Sequence, residues 1–216
     1  RDCLLSRGLG DVYKRQALAA QLCTKPALIP QALLHYERGI CAEDAFSAHG
    51  KRAFIMSHVL DMTGAPIVLV SAVPVLRSMG YEVLVLGPSD GGSLHLFLDA
   101  GASVITRSSC RNVSDAWGMA LCADFVIVNT VVMARAVRAL SGTAVPVLWW
   151  LHDAFAGYPH IAHQIPTQLG ENVRVYSVGS HAANAMRAVR PEFEIRPLIY
   201  GLPDYAAENF VRTDLG

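Results

Sequence analysis

The feature that most constrains this chain is an alternation of apolar runs with helical segments, which begins after residue 52. The runs are almost continuously apolar, as expected for parallel strands that are covered on both faces. They are long enough for strands and too short for buried helices. The predicted strands are residues 53–57, 82–86, 103–106, 125–129, 146–151, 173–178 and 195–198.

Helical patterns fill the intervals between these runs. They are residues 66–79, 93–100, 114–121, 132–140, 161–169 and 180–189. Strand and helix in alternation imply right-handed crossovers, so the predicted fold class is α/β, a doubly wound and mainly parallel, Rossmann-like sheet. Such sheets bind ligands beyond the carboxyl ends of their strands, so candidate residues are sought in the loops that follow each strand.

Composition limits the class of protein. The chain has 216 residues, of which 52% are hydrophobic and 17% charged, and this favours one well-buried domain over a disordered chain. The 18 basic and 18 acidic side chains give no net charge, so no nucleic-acid partner is expected. Five cysteines without a C-x-x-C pair favour a reducing cytoplasm, and no apolar stretch reaches the length of a transmembrane segment.

The two ends of the chain differ from the middle. Residues 1–16, "RDCLLSRGLGDVYKRQ", resemble translated sequencing-adaptor sequence and are interpreted as an artefact. Residues 17–50 read as a helical lead-in or the end of a preceding domain, with the best helix in "QALLHYERGICAEDAF". Residues 51–204 form the predicted main domain. Residues 205–216 are interpreted as the truncated start of a linker to a missing C-terminal domain.

The loop in "SHVLDMTGAP" follows the first predicted strand. Thr63 has a side chain suited to capping the next helix, Gly64 allows close approach of a ligand to the backbone, and Ala65 is small. Free amides at the start of a helix attract phosphate or sugar hydroxyl groups. The loop therefore reads either as a capped turn or as a ligand-binding loop.

Three further strand ends carry polar side chains. His152 and Asp153 follow the run "PVLWWL", where a functional histidine is expected, although the position also suits an ordinary loop residue. Asp153 is predicted to bind substrate. Asn129 and Thr130 end the run "VIVNT", where they either cap the following helix or bind substrate. Ser180 begins a helix after Gly179, most simply as its N-cap, with substrate binding as the alternative.

His160 and His163 lie three residues apart in "PHIAHQ". They would share one face of a helix, but no third ligand lies near them and no H-E-x-x-H pattern is present. No metal site is therefore predicted.

The segments "KRAFIMSHVLDMTGAPIVLV", "ADFVIVNT", "PVLWWLHD" and "VYSVGSHAANAM", in this order and spacing, resemble the N-terminal domain of glycosyltransferase family 4 enzymes of the GT-B fold. "TGAP" and "WWLHD" carry most of the resemblance, which covers residues 51–204. The family loop commonly has two adjacent glycines, whereas here Gly64 stands alone.

The resemblance implies a retaining, metal-independent hexosyltransferase in which a nucleotide sugar is the co-substrate and no cofactor is held. It implies that Thr63, Gly64 and Ala65 lie near the donor diphosphate and that His152 is the catalytic residue near the reacting sugar. The same comparison suggests a glycan or lipid-linked acceptor and a cytoplasmic enzyme, with peripheral attachment to the inner membrane face as an alternative. With the C-terminal domain missing, this chain is expected to be inactive alone.

Two other functions remain open on sequence grounds. An NAD(P)-dependent oxidoreductase would use "TGAP" as its dinucleotide loop, but the G-x-G-x-x-G pattern and an acidic residue at the end of the second strand are absent. A non-catalytic, flavodoxin-like binding domain would share the same alternation of strands and helices.

Overall fold

The structure is a computed structural model that describes residues 38–40, 50–108, 110–111, 120–121 and 123–201. Within these residues an eight-stranded sheet has the order β1-β4-β3-β2-β5-β6-β7-β8. Every pairing between neighbours is parallel except β1 with β4, which is antiparallel. The strands are β1 Arg38–Ile40, β2 Lys51–Met56, β3 Tyr81–Gly87, β4 Ser103–Thr106, β5 Phe125–Asn129, β6 Val147–Leu151, β7 Val173–Ser177 and β8 Ile195–Pro197.

Helices connect these strands and lie on the sheet. Among the described residues, the connection after β5 also contains one 3₁₀ turn and the connection after β6 contains two. The α-helices are α1 Gly64–Ser78, α2 Leu94–Asp99, α3 Ala134–Leu140, α4 Tyr158–Ile161 and α5 Ser180–Val189. The predicted α/β class with a doubly wound, mainly parallel sheet is confirmed, and each of the seven predicted strands is present within two residues of its predicted ends.

The core has two parts because side chains alternate along each strand. Along β2, Phe54 and Met56 belong to one cluster of buried residues, which includes side chains of α3 and α5. Ala53 and Ile55 belong to the second cluster, which includes side chains of α1 and α2. Both faces of the sheet are covered, and this explains why the central strands β2, β5 and β6 are mostly apolar rather than alternating with polar residues. Strand β7, which includes the exposed Arg174, does alternate.

Helix α1 begins two residues before the predicted start and runs through Pro74. Proline lacks an amide hydrogen, so Pro74 cannot donate to the carbonyl four residues before it. Pro74 is exposed, so the carbonyl of Val70 can turn to water at this position.

The helix predicted over residues 161–169 is wrong. Helix α4 ends at Ile161 and is followed by one 3₁₀ turn, Ala162–Gln164. Ile165 then has φ −67° and ψ 124°, which is an extended conformation. It precedes Pro166, whose ring disfavours the helical conformation in the residue before it, so the helix cannot continue.

The helical lead-in predicted over residues 17–50 is wrong for Arg38–Ile40, which form β1 and pair with Val104–Thr106 at the edge of the sheet. Edge pairing supplies these three residues with hydrogen bonds that helical periodicity could not anticipate. Residues 17–37 and 41–49 lie outside the described residues. So do 1–16, 205–216 and most of the helix predicted at 114–121.

Among the residues that the structure describes, no helix combines the length and apolar character needed to cross a membrane.

Candidate functional site

The carboxyl ends of β2, β5 and β6 meet at one edge of the sheet. Strand β5 pairs with β2 on one side and with β6 on the other, so the loops after these three strands are neighbours. The register sets Met56 beside Val128 and Asn129 beside Trp150. Neighbouring strands lie about 4.8 Å apart, so side chains that leave β2 and β6 can meet above the end of β5.

Asn129, at the centre of this edge, is fully buried, yet its side-chain amide oxygen and nitrogen both lack a hydrogen-bond partner among the described residues. The hydroxyl of Thr130, which is 1% exposed, also lacks one. Buried polar groups without a partner are rare because each costs about 1–3 kcal/mol. Neither side chain caps the following turn, so the capping alternative is wrong, and the hydrogen-bonding capacity of these groups is unused among the described residues.

Thr130 has an unusual backbone conformation, with φ 67° and ψ 164°. It has the only positive φ among the non-glycine residues that the structure describes. The Thr130 amide donates to the carbonyl of Trp150 at 2.8 Å, and the Trp149 indole N–H donates to the Thr130 carbonyl at 2.8 Å. The end of β5 is therefore held by two tryptophans of β6.

Asp153 reaches across from the loop after β6 to the end of β5. Its Oδ2 accepts a hydrogen bond from the backbone amide of Val131 at 2.6 Å. Burial raises the pKa of Asp153, while hydrogen bonds from the amides of Val131, Asp153 and His152 act in the opposite direction. Asp153 thus caps the turn after β5. Capping this turn was one of the two roles predicted for Asn129.

His152 lies beside Asp153, and its ring centroid is 5.0 Å from that of Trp150. Its Nε2 atom is buried and has no partner among the described residues. Burial, followed by the nearby His58, lowers the pKa of His152 to about 4. The imidazole is therefore neutral at pH 7, with one nitrogen to donate and the other to accept a hydrogen bond.

His58, which follows β2, was not among the site residues predicted from the sequence. Its Nδ1 is buried and lacks a partner in the described part of the chain. Burial lowers the pKa of His58, Asp61 raises it and Arg111 lowers it further. Its position in the sequence could have indicated this role, because His58 lies two residues beyond β2, and ligands bind beyond the carboxyl ends of such strands.

Tyr158 begins helix α4 and lies near Asp153. It is fully buried, and its hydroxyl has no partner among the described residues. Burial raises its pKa, and the nearby Asp153 raises it further, so the phenol stays protonated.

The loop that begins α1 is exposed, and Thr63 occupies the N-cap position without a side-chain capping bond. The Thr63 hydroxyl donates instead to Asp61 Oδ1 at 2.5 Å, and its amide donates to the same oxygen at 3.2 Å. A methyl group added at Gly64 would meet nothing within 4 Å. The fold itself therefore does not require glycine at 64, and the space beside Gly64 is open.

The turn "GPSDGG" packs against this loop at Leu60. A Cβ atom at Gly91 would collide with the backbone of Leu60, and one at Gly87 would collide with the Leu60 side chain. The Ser93 amide also donates to the Leu60 carbonyl at 2.9 Å. The glycines of this turn therefore permit the close approach of two loops.

Ser180 is the first residue of α5 and is exposed, while the N-cap is Gly179. Its predicted role as an N-cap is therefore wrong. His160 and His163 are both exposed. No three His, Cys, Asp or Glu side chains lie together as metal ligands within the residues that the structure describes.

A cavity of about 410 Å³ lies elsewhere, beside the outer strands β7 and β8. Its lining includes Glu194 and Arg196, which form an ion pair at 2.8 Å. The lining also includes the first residue of β7, so the cavity lies away from the strand ends that gather the unpartnered polar atoms. Those atoms, rather than the cavity, define the candidate site.

The chain is similar to a known protein family and to solved structures. The sequence profile of the family described as glycosyl-transferase family 4 matches residues 49–190. No match was found among curated proteins. Among solved structures, Anabaena Alr3699/HepE in complex with UDP and glucose superposes with a TM-score of 0.52 at 16% identity, covering 71% of this chain and 45% of that one.

A second similar structure is an alpha-glucosyltransferase in complex with UDP and a 13-mer DNA containing a HMU base, with a TM-score of 0.48 and 10% identity. The match covers 69% of this chain and 42% of that one. This chain therefore spans less than half the length of the structures that it resembles.

Proposed function

This chain belongs to glycosyltransferase family 4, and we propose that it forms the acceptor-side half of an enzyme that transfers a sugar from a nucleotide-sugar donor to a glycan or lipid-linked acceptor. Retention of anomeric configuration and independence of metal ions are parts of this proposal that follow from the family resemblance. Family membership favours this function over the oxidoreductase and the non-catalytic binding domain.

The observation that carries the proposal is the group of neutral polar atoms at the carboxyl ends of three adjacent strands. Asn129 presents an unpartnered donor and an unpartnered acceptor, and His58 and His152 lie after the strands on either side. Sugar hydroxyl groups both donate and accept hydrogen bonds, so they match such a set. A diphosphate only accepts, and it is better suited to the free amides at the start of α1.

The chemical role of the two regions follows from charge. Negative charge builds on the departing diphosphate during transfer, and the amides of Gly64 and Ala65, fixed in the first turn of α1, are placed to stabilise it. His152 remains neutral near pH 7, so we assign it to hydrogen bonding with the reacting sugar. A second domain is proposed to supply the remaining contacts to the nucleotide.

The first test uses UDP-glucose, because UDP and glucose are the ligands of the structure that this chain resembles. Titration calorimetry of the 216-residue chain should give weak binding of UDP-glucose and no tighter binding of NADH. A full-length enzyme that contains this chain should release UDP in the presence of its acceptor. Tight NADH binding by the chain, with no affinity for any nucleotide sugar, would favour the oxidoreductase instead.

The location and partners of the whole enzyme are likewise proposals. We expect a cytoplasmic enzyme with no nucleic-acid partner, since the chain carries no net charge. Attachment to the inner membrane face remains an alternative for a lipid-linked acceptor, and vesicle sedimentation of the full-length protein would distinguish the two.

A further inference from the structure

We propose that Asp153 is a positioning residue, which holds the strained turn at Thr130 and the backbone of His152 together so that Asn129, Thr130 and His152 face the same substrate hydroxyl groups. This assignment differs from the sequence-based prediction that Asp153 binds substrate directly. It rests on the proposed function for its catalytic consequence, and its structural part can be tested without turnover.

The backbone of Thr130 is strained. A backbone at φ 67° and ψ 164° falls in a region that is essentially restricted to glycine, because a Cβ atom crowds the neighbouring peptide there. Such a conformation persists only when the surrounding structure holds it. It tends to occur where a protein gains function from the geometry.

Hydrogen bonds hold the backbone of Thr130 in this strained conformation. Its amide is bound by the Trp150 carbonyl and its carbonyl by the Trp149 indole, both at 2.8 Å. The amide of the next residue, Val131, donates to Asp153 Oδ2 at 2.6 Å. Both peptide units that flank Thr130 are therefore fixed, and Asp153 is the one side chain with a formal charge among these partners.

Asp153 also affects the loop in which it lies. The backbone amides of His152 and of Asp153 itself lower the pKa of its carboxyl group, so they lie close to it. A carboxylate only accepts hydrogen bonds, and here Oδ2 accepts one from Val131, in the loop after β5. By contrast, the polar side-chain atoms of Asn129 and the hydroxyl of Thr130 are buried with no partner in the described residues.

The strain is tested by comparing Thr130→Gly with Thr130→Ala in thermal unfolding of the 216-residue chain. Both variants lose the same side-chain atoms beyond Cβ, but glycine alone relieves the strain. The unfolding temperature of Thr130→Gly should therefore lie about 2–6 °C above that of Thr130→Ala. At Thr106, a buried residue of β4 without a positive φ, the order should be reversed, because glycine usually destabilises strands. The same order at both sites would overturn the assigned strain.

The role of Asp153 is tested by a double-mutant cycle. Asp153→Ala should lower the unfolding temperature. Adding Thr130→Gly should then give a smaller gain than it gives in the wild-type background, because a turn that Asp153 no longer holds has already released part of its strain. Strictly additive effects would mean that Asp153 does not hold the turn.

The effect on His152 is tested by imidazole NMR of the same chain. Asp153→Ala should shift the ring resonances of His152. The control is Asp124→Ala, since Asp124 Oδ2 also accepts a backbone amide bond, from Arg52 at 2.7 Å, but lies before β5 at the other end of the sheet. Equal shifts, or none with either variant, would contradict the proposed positioning.

The catalytic consequence is measured in the full-length enzyme once transfer is established. Asp153→Ala should lower kcat more than it raises KM, and adding Thr130→Gly to that variant should not restore kcat. Full recovery of kcat would show that Asp153 contributes stability alone. Failure of the full-length enzyme to transfer any sugar would count against the proposed function, whereas the unfolding and NMR results would still stand.

Discussion

The imidazole of His58 contributes to lowering the pKa of His152, although the two residues follow strands that are separated by β5. Only the parallel order of β2, β5 and β6 brings them to the same edge of the sheet. Two histidines that would repel each other when charged stay neutral at pH 7, and this keeps both available as hydrogen-bond partners for uncharged hydroxyl groups.

The first prediction concerns the pH dependence of stability. The pKa of His152 falls from 6.5 to about 4 in the folded chain, so the unfolded chain binds a proton first as the pH decreases. Its stabilising contribution should be complete above pH 6.5 and should be lost progressively as the pH falls toward 4. The loss should be roughly 2 kcal/mol after allowance for partial exposure.

Urea unfolding between pH 4 and pH 7.5 measures this loss. The control is His152→Gln, which retains a polar side chain but cannot titrate, so its stability should fall less over the same range. Identical pH profiles for the two proteins would mean that His152 is not held neutral by the fold.

The second prediction concerns Gly64. Its Cβ position is open and its backbone is helical, so Gly64→Val should change the unfolding temperature by no more than about 3 °C, the cost of an ordinary surface substitution. In the full-length enzyme the same variant should reduce transfer severely, because the valine side chain would occupy the space proposed for the diphosphate.

Gly91 provides the opposite case. A Cβ atom there would collide with the Leu60 backbone, so Gly91→Val should lower the stability of the chain by more than about 2 kcal/mol. If Gly64→Val unfolds the chain while Gly91→Val does not, the assignment of the two loops is wrong.

The third prediction contrasts two asparagines. Asn129 is buried with no partner for either amide atom, so Asn129→Leu should leave the free energy of unfolding unchanged or raise it by about 1 kcal/mol. Asn172 donates to the carbonyls of Leu140 and Val145 at 2.9 and 2.7 Å and accepts from the Gly142 amide at 2.8 Å. Asn172→Leu should therefore destabilise the chain by about 2–4 kcal/mol.

Activity separates the same two variants. Asn129→Leu should reduce transfer by the full-length enzyme about tenfold or more, because a hydrogen bond to substrate is lost. Asn172→Leu should affect transfer only through the amount of folded protein. Unfolding curves and rates normalised to folded enzyme test both statements, and a destabilised but active Asn129→Leu would contradict the site.

The fourth prediction concerns the chain by itself. The proposed transfer needs a second domain to hold the nucleotide, so the purified 216-residue chain should bind UDP-glucose weakly and release no UDP above the rate in buffer. A sensitive UDP-release assay with added acceptors measures this. Robust transfer by this chain alone would show that no partner domain is required.

The sequence was informative where local pattern and tertiary environment agree. Runs such as residues 125–128 and Val147–Leu151 are apolar along their whole length because both faces of the sheet are buried there, so their positions were evident from the sequence pattern. Helix α5 begins and ends where it was predicted. The prediction failed at residues 161–169, where the effect of Pro166 on the residue before it outweighed helical periodicity.

The amino-acid sequence by itself thus determined the class of fold and the edge of the sheet at which chemistry should be found, because these depend on which short runs are apolar and in what order they occur. Only the tertiary structure decided which side chains act together at that edge. Asp153 caps the turn after β5, Thr130 is strained, and His58 lowers the pKa of His152. All three features depend on strands that are neighbours in the sheet but distant in the chain. No local pattern encodes such contacts, since they are set by strand order and by which polar atoms burial leaves without a partner.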